Sequence, residues 1–353
     1  MTERIGQPAP SLLRRVTGIA GRIDRVVLAM AAIFAALLAG SPPQARDSLL
    51  FTLDSLLFLS PFLAFSILVA GAAKASGADA QIARMLRGRP LSAIVAAALF
   101  GALSPFCSCG VVPIIAALLT AGVPLAPVMA FLIASPIMDP EMFILTAAVL
   151  GLPLALAKTA AAIGMGLGAG LATQALAGRA AFASPLRDGA AGCGSTCGVP
   201  VTVSADIVWT FWRDSARRAA FVDESRTVGW FLTKWLTFAF VLESLMVAWI
   251  PAEMVGAWLG GETWWAIPAA VLVGIPAYLN GFAAIPTVSA LIEMGMAPGA
   301  ALSFMVAGAV TSIPAAMAVY ALVRRVVFLW YLLMGLGGSL AAGLAWQTVV
   351  TSF

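Results

Sequence analysis

Long runs of apolar residues recur from residue 26 to the C-terminus. A run of about 20 such residues crosses a hydrocarbon layer about 30 Å thick as one α-helix. The runs are continuous Ala/Leu/Val/Ile/Gly stretches without alternation. That excludes a membrane β-barrel, whose strands alternate in short segments. The charged fraction of 10 % and mean hydropathy of +1.00 exclude a soluble enzyme, since soluble domains carry roughly 25 % charge. The expected fold class is all-α, a polytopic integral membrane protein of about ten to eleven helices with the lipid bilayer as its main partner.

The segments are 26–40, 49–73, 91–105, 107–122, 124–150, 152–177, 228–250, 264–279, 281–294, 298–323 and 326–350. Four of them, 91–105, 107–122, 264–279 and 281–294, reach only about 21–24 Å as helices and are expected to form hairpins or partial spans. Basic residues gather at the N-terminus, at Lys74–Arg89, at Arg179–Arg226 and at Arg324/Arg325; only Arg46, Lys158 and Lys234 lie elsewhere. The positive-inside rule puts those clusters and the N-terminus in the cytoplasm and the C-terminus outside. Topology therefore accounts for the +4 charge, and no nucleic-acid partner is expected. Arg4, Arg14, Arg15, Arg22 and Arg25 ahead of 26–40 look like the start of a signal peptide. No small-x-small cleavage site follows, so an uncleaved first helix is expected.

Residues 101–113 and 274–286 align at an offset of 173: Gly101 with Gly274, Pro113 with Pro286, and further on Gly122 with Gly295 and Phe131 with Phe304. The expected organisation is a basic N-terminus and first membrane helix (1–48), a first membrane repeat (49–177), a cytoplasmic linker (178–227) and a second repeat (228–353). By parity the two repeats are inverted. Inverted repeats with interrupted helices mark secondary transporters and place the cargo site at the repeat interface.

Two helices carry such interruptions, Ser135-Pro136-Ile137-Met138-Asp139-Pro140-Glu141 and Gly308-Ala-Val-Thr311-Ser312-Ile-Pro314. Non-helical backbone within the bilayer survives only where protein or a cavity surrounds it. Pro140 and Pro314 suit the first turn of a restarting helix, whose exposed N–H groups favour polar or anionic cargo. Pro105, Pro113, Pro136 and Pro286 are the other expected helix breaks.

Ser104-Pro105-Phe106-Cys107-Ser108-Cys109-Gly110 joins two short helices. Two thiols two residues apart are soft ligands for a thiophilic cargo such as trivalent arsenic, antimony, mercury or Cu(I). Cys193 and Cys197 lie in the linker as a soft-ion or redox handle, or as an exposed pair without a transport role. With no His in the chain, imidazole metal sites are excluded, and no cofactor is expected. Candidate substrate-binding residues are Cys107, Ser108, Cys109, Ser135, Asp139, Glu141, Asn280, Thr311 and Ser312. Asp139, Glu141 and Glu243 are candidates for proton coupling, because intramembrane charge is costly and functional by default. Asp54, Lys158 and Glu293 lie nearer helix ends and are expected to snorkel or pair. The Trp residues read as an interfacial belt, and Gly164-Met-Gly-Leu-Gly-Ala-Gly170 as a close helix contact.

The run Cys107-Ser-Cys-Gly-Val-Val-Pro113, followed by Phe131-Leu-Ile-Ala-Ser-Pro136, Pro140-Glu141 and Leu150-Gly151, resembles predicted permeases of the ArsP/YraQ type. Gly274-Ile-Pro-Ala-Tyr278, Ala284-Ile-Pro286, Gly295 and Gly299-Ala-Ala-Leu-Ser-Phe304 resemble that family's second motif. The resemblance covers about residues 45–350. It implies a multi-pass permease of the bacterial inner membrane, and its arsenical branch implies export of trivalent organoarsenicals through membrane thiols, here Cys107 and Cys109. The second-half position matching Cys107 is Asn280, so no thiol pair is duplicated. The leading reading is thus a secondary-active exporter of a thiol-reactive metalloid or organometal species, and not an enzyme. A permease for a small organic or sulfur-containing anion with a redox-sensing Cys pair is the alternative. A membrane thiol oxidoreductase is the remote one, since Cys-x-Cys departs from the usual Cys-x-x-Cys spacing.

Overall fold

The structure is a computed structural model that describes residues 25–77, 90–104, 108–179, 182, 184–187, 208, 210–249, 265–277 and 281–352. It is all-α. The helices are α1 (Arg25–Gly40), α2 (Pro42–Ser76), α3 (Pro90–Leu103), α4 (Ser108–Thr120), α5 (Leu125–Ala134), α6 (Pro140–Val149) and α7 (Leu152–Ala175) in the first half. In the second half come α8 (Ser215–Trp249), α9 (Ala266–Ala277), α10 (Gly281–Glu293), α11 (Pro298–Thr311), α12 (Ile313–Leu322) and α13 (Arg325–Ser352). The linker touches the second half through an isolated bridge, Leu186 with Val323.

The offset of 173 carries α2 onto α8, α4 onto α10 and α6 onto α12 with both ends coinciding, and it carries the starts of α5 and α7 onto those of α11 and α13. Loop geometry repeats as well. Gly122 and Gly295 have φ of 81° and 95°, the left-handed conformation that glycine adopts at low cost. Behind them the Val123 and Met296 N–H groups each donate to the carbonyl five residues back, on Leu118 and Leu291, at 2.9 Å. This is one helix-ending turn built twice.

Equivalent helices that touch run antiparallel. Trp330 Nε1 on α13 donates to Thr173 Oγ1 on α7 at 2.9 Å. Eight residues on, a Cβ on Gly338 would meet the side chain of Met165 at 2.8 Å, and Met165 lies eight residues back from Thr173. On α2 and α8, a Cβ on Gly71 would meet Phe221 at 3.1 Å and one on Gly229 would meet Ile67 at 3.6 Å. Contacts across the halves are reciprocal: α4 packs on α12 as α10 packs on α6, and α7 on α11 as α13 on α5. The repeats are therefore inverted about a pseudo-two-fold axis perpendicular to these helices. A seam of small residues lets α7 approach α13 and leaves a cavity of about 430 Å³ lined by residues including Gly164, Gly168 and Gly337.

Burial sorts the helices into inner and outer. Every residue of α5, and Gly299–Thr311 of α11, is buried. An all-apolar helix is stable only when wrapped on every side. Around them, Leu57, Phe100, Leu103, Leu272 and Leu329 are more than 60 % exposed, an apolar outer surface matched to lipid and unsuited to water. Gly101 and Gly274 are equivalent, and a Cβ there would meet the carbonyl oxygens of Phe131 and Phe304, also equivalent, at 3.1 and 2.7 Å. Glycine at these places allows α3 and α9 to lie on the backbones of the two inner helices.

The structure revises the expected segments. By length and composition three helices, Leu152–Ala175, Ser215–Leu245 and Arg325–Ser352, can cross a membrane, and two bent pairs raise that number to five. The other apolar helices among the described residues have 10–17 residues, so the eleven expected segments are not eleven full spans. The segment expected over 124–150 is two helices of 10 residues each, about 15 Å apiece. Neither is long enough to cross alone, and the break between them falls at the interruption expected at 135–141. Segments 49–73 and 228–250 start earlier, at Pro42 and Ser215. Pro42 and Pro43 fill a first turn whose N–H groups have no helical partner anyway, and α8 extends into residues expected to be linker. Pro61, which the sequence reading passed over, lies inside α2, where the helix bends by 50°.

Candidate functional site

The two interrupted helices meet their neighbours through polar groups. In the first repeat α5 ends at Ala134 and α6 restarts at Pro140. Asp139 is the N-cap of α6: its backbone is extended and its Oδ1 accepts from the Met142 N–H at 2.7 Å. Such a side chain satisfies one of the N–H groups that a helix start leaves unpaired. In the second repeat the equivalent cap residue of α12 is Ser312, which is buried and makes no side-chain cap hydrogen bond. Thr311, also buried, returns its hydroxyl to the Ala307 carbonyl at 2.7 Å. Pro140 and Pro314 lie in the first turns of the restarting helices.

Ser135 is buried at the end of α5, and its Oγ lies 3.1 Å from Ser104 Oγ, just past the end of α3. This contact joins the first break to the start of the Cys-Ser-Cys junction. Pro105, Cys107 and Asn280, like Cys193 and Cys197, lie outside the described residues. Ser108, Cys109 and Pro113 lie on α4.

Pro113 and Pro286 do not break their helices. Both lie inside continuous ones, α4 and α10, at equivalent positions. Each helix begins little more than a turn earlier, so proline removes one interior hydrogen bond, to the carbonyl four residues back. That carbonyl belongs to Cys109 in one repeat and Phe282 in the other. Pro136 sits in the turn after α5, partly exposed.

The carboxylates separate. Glu141 is exposed in the first turn of α6, and Asp54 and Glu293 are exposed as well. Asp139 is partly buried. Glu243 on α8 is 3 % exposed, and its Oε2 has no hydrogen-bond partner among the described residues. Among the described residues no three of His, Cys, Asp and Glu converge on a common point.

Lys158 departs furthest from expectation. It does not snorkel: it is 0 % exposed on the second turn of α7, and its Nζ has no hydrogen-bond partner among the described residues. The carboxylate whose charge acts on it is Asp139. Its equivalent at the 173 offset is Tyr331 on α13, also buried. The Tyr331 hydroxyl donates to the carbonyl of Val310, at the end of α11 beside the second break. Each long helix after a break thus sends one buried polar side chain inward from the same position. Placing Lys158 beside Tyr331 in the offset alignment is the signal in the sequence that finds this pair.

Comparison with protein families matches a model described as a predicted permease, ArsP_1, over residues 45–348. The chain belongs to this family of predicted permeases. The UPF0718 protein YcgR of Bacillus subtilis (strain 168) is 33 % identical over 91 residues, which are 26 % of this chain and 31 % of that protein. The chain thus spans about a third of the length of the curated relative it matches. No solved structure matches significantly. The match overlaps both broken helices and all six equivalent helix pairs. The chain is therefore an all-α, polytopic membrane member of this predicted-permease family.

Proposed function

We propose that this permease is a secondary-active exporter of a thiol-reactive metalloid species of the trivalent organoarsenical type. In this reading its cargo passes between the two broken helices. The observation that carries the reading is the Ser104–Ser135 contact. It brings Ser104, three positions before Cys107 in the sequence, against the first break. Two thiols without a closed cage hold such a species and still release it. The inverted repeats supply two alternating access routes to a central site. In the same reading the N-terminus faces the cytoplasm of a bacterial inner membrane, and the chain divides into first helix, repeat, linker and repeat.

Everted membrane vesicles containing the protein test the cargo. Uptake of a trivalent organoarsenical, with no uptake of its pentavalent counterpart, is the expected result. Uptake of the trivalent form no greater in protein-containing than in empty vesicles removes the metalloid reading.

In this reading Asp139 and Glu243, the two of the three candidate carboxyl groups that are not exposed, exchange a proton for cargo. Asn caps a helix about as well as Asp, so Asp139→Asn removes the titratable proton and keeps the restart of α6. The expected result is that Asp139→Asn or Glu243→Gln abolishes the acceleration of uptake by an imposed pH gradient. Wild-type gradient dependence in both variants clears both residues.

A further inference from the structure

The structure assigns Lys158 as the binding group for a small oxyanion that the permease carries at the first helix break. The assignment rests on the permease reading of that break, but not on a thiol-bound cargo. Among the described residues the side chains of Asp139, Ser104 and Ser135 at the break have partners within the protein: Asp139 is held by the Met142 N–H, and Ser104 and Ser135 hold each other. Lys158 alone brings three N–H donors to this region with no acceptor for any of them among the described residues.

Its counterpart shows what a satisfied side chain looks like at the same position: Tyr331 spends its one donor on the Val310 carbonyl. A second unpartnered donor lies on α6, which packs against α7. Thr146 is fully buried and its Oγ1 has no partner. Thr159, Thr173 and Thr311, by contrast, return their hydroxyls to the carbonyl four residues back at 2.7–2.8 Å.

Burying an unpartnered ammonium is costly, and within a bilayer no bulk water relieves it. A buried Lys without a partner is therefore retained for something that arrives. A buried ammonium with three unused donors, on a helix packed against α6, fits a ligand with several acceptor oxygens. The charge of Asp139 acts on Lys158, but Asp139 accepts none of its N–H donors.

Thermal unfolding of the purified full chain in detergent, with sulfate, phosphate or arsenate added and chloride as control, tests the binding. A ligand that binds only the folded protein raises the midpoint with concentration. At least one of the three oxyanions is expected to do so for wild type, and chloride is not. Lys158→Met removes the charge from an apolar site and is expected to raise the midpoint without ligand. It should weaken the oxyanion response by roughly tenfold or more, the loss of one charge-assisted hydrogen bond. Lys158→Arg should retain the response, and Lys158→Gln repeats the neutral comparison should Met fail to fold.

No oxyanion response in wild type, or an equal response in the neutral variants, overturns the assignment. Proteoliposomes loaded with the responding oxyanion separate its two roles. Movement down its own gradient identifies it as cargo. Movement only with an organoarsenical on the opposite side identifies it as counter-ion. Movement in neither arm overturns carriage. Because binding is read without transport and without Cys107 or Cys109, failure here is distinct from failure of the metalloid reading.

Discussion

Cells expressing Cys107→Ser or Cys109→Ser are expected to lose nearly all export of a trivalent organoarsenical, with undiminished protein in the membrane. Serine keeps the size of cysteine and exchanges a soft sulfur for a hard oxygen, so it alters ligand chemistry and little else. Both positions lie between Ser104, which touches the first break, and the body of α4. A structural role for the thiols predicts reduced protein levels and a proportional fall in export. A ligand role predicts normal levels with export lost. Undiminished export by both variants removes the thiols from the cargo route and leaves the oxyanion site at Lys158 standing alone.

The largest expected effect on folding is at Gly343. A Cβ there would meet the Gly299 carbonyl oxygen at 2.6 Å and Ser303 Cβ at 3.0 Å. Gly299 and Ser303 belong to the wholly buried inner helix α11, and neither can retreat without moving a backbone. Gly343→Leu is expected to cost about 3 kcal/mol, read as a lowered unfolding midpoint in detergent. Gly337 on the same helix has nothing within 4 Å of its added Cβ. Gly337→Ala is therefore expected to raise the midpoint slightly, since Ala favours a helix interior over Gly by about 0.5–1 kcal/mol. An unchanged midpoint for Gly343→Leu contradicts the close approach of α13 to α11.

The repeat was legible from a few residues because those residues fix backbone shape. Gly122 and Gly295 terminate equivalent helices in a left-handed turn, and Gly101 and Gly274 admit equivalent backbones. No other residue performs either task cheaply. The interruptions at 135–141 and 308–314 were legible for the same reason, through Pro140 and Pro314. Full membrane crossings were harder to read. A run of apolar residues looks the same whether it crosses lipid or stops halfway inside protein. The early starts at Pro42 and Ser215 were hidden because the added turns carry Arg46, Asp47, Arg217 and Arg218, which hydropathy assigns to loops. Pro113 and Pro286 read as breaks because the sequence does not show how recently their helices had begun. Lys158 was misplaced by its nearness to the end of α7. Distance along a helix from its terminus says nothing of what packs around it, and here α6 does.

The crossing of α7 over α13 at Met165 and Gly338 has a further consequence. One architecture is present twice, upside down, and the two copies differ only in detail. In the proposed permease, each copy takes up the shape the other now has, and that exchange moves access from one side of the bilayer to the other. Pro61 opposite Lys234, and Lys158 opposite Tyr331, are the differences that keep the two orientations from being equal in energy.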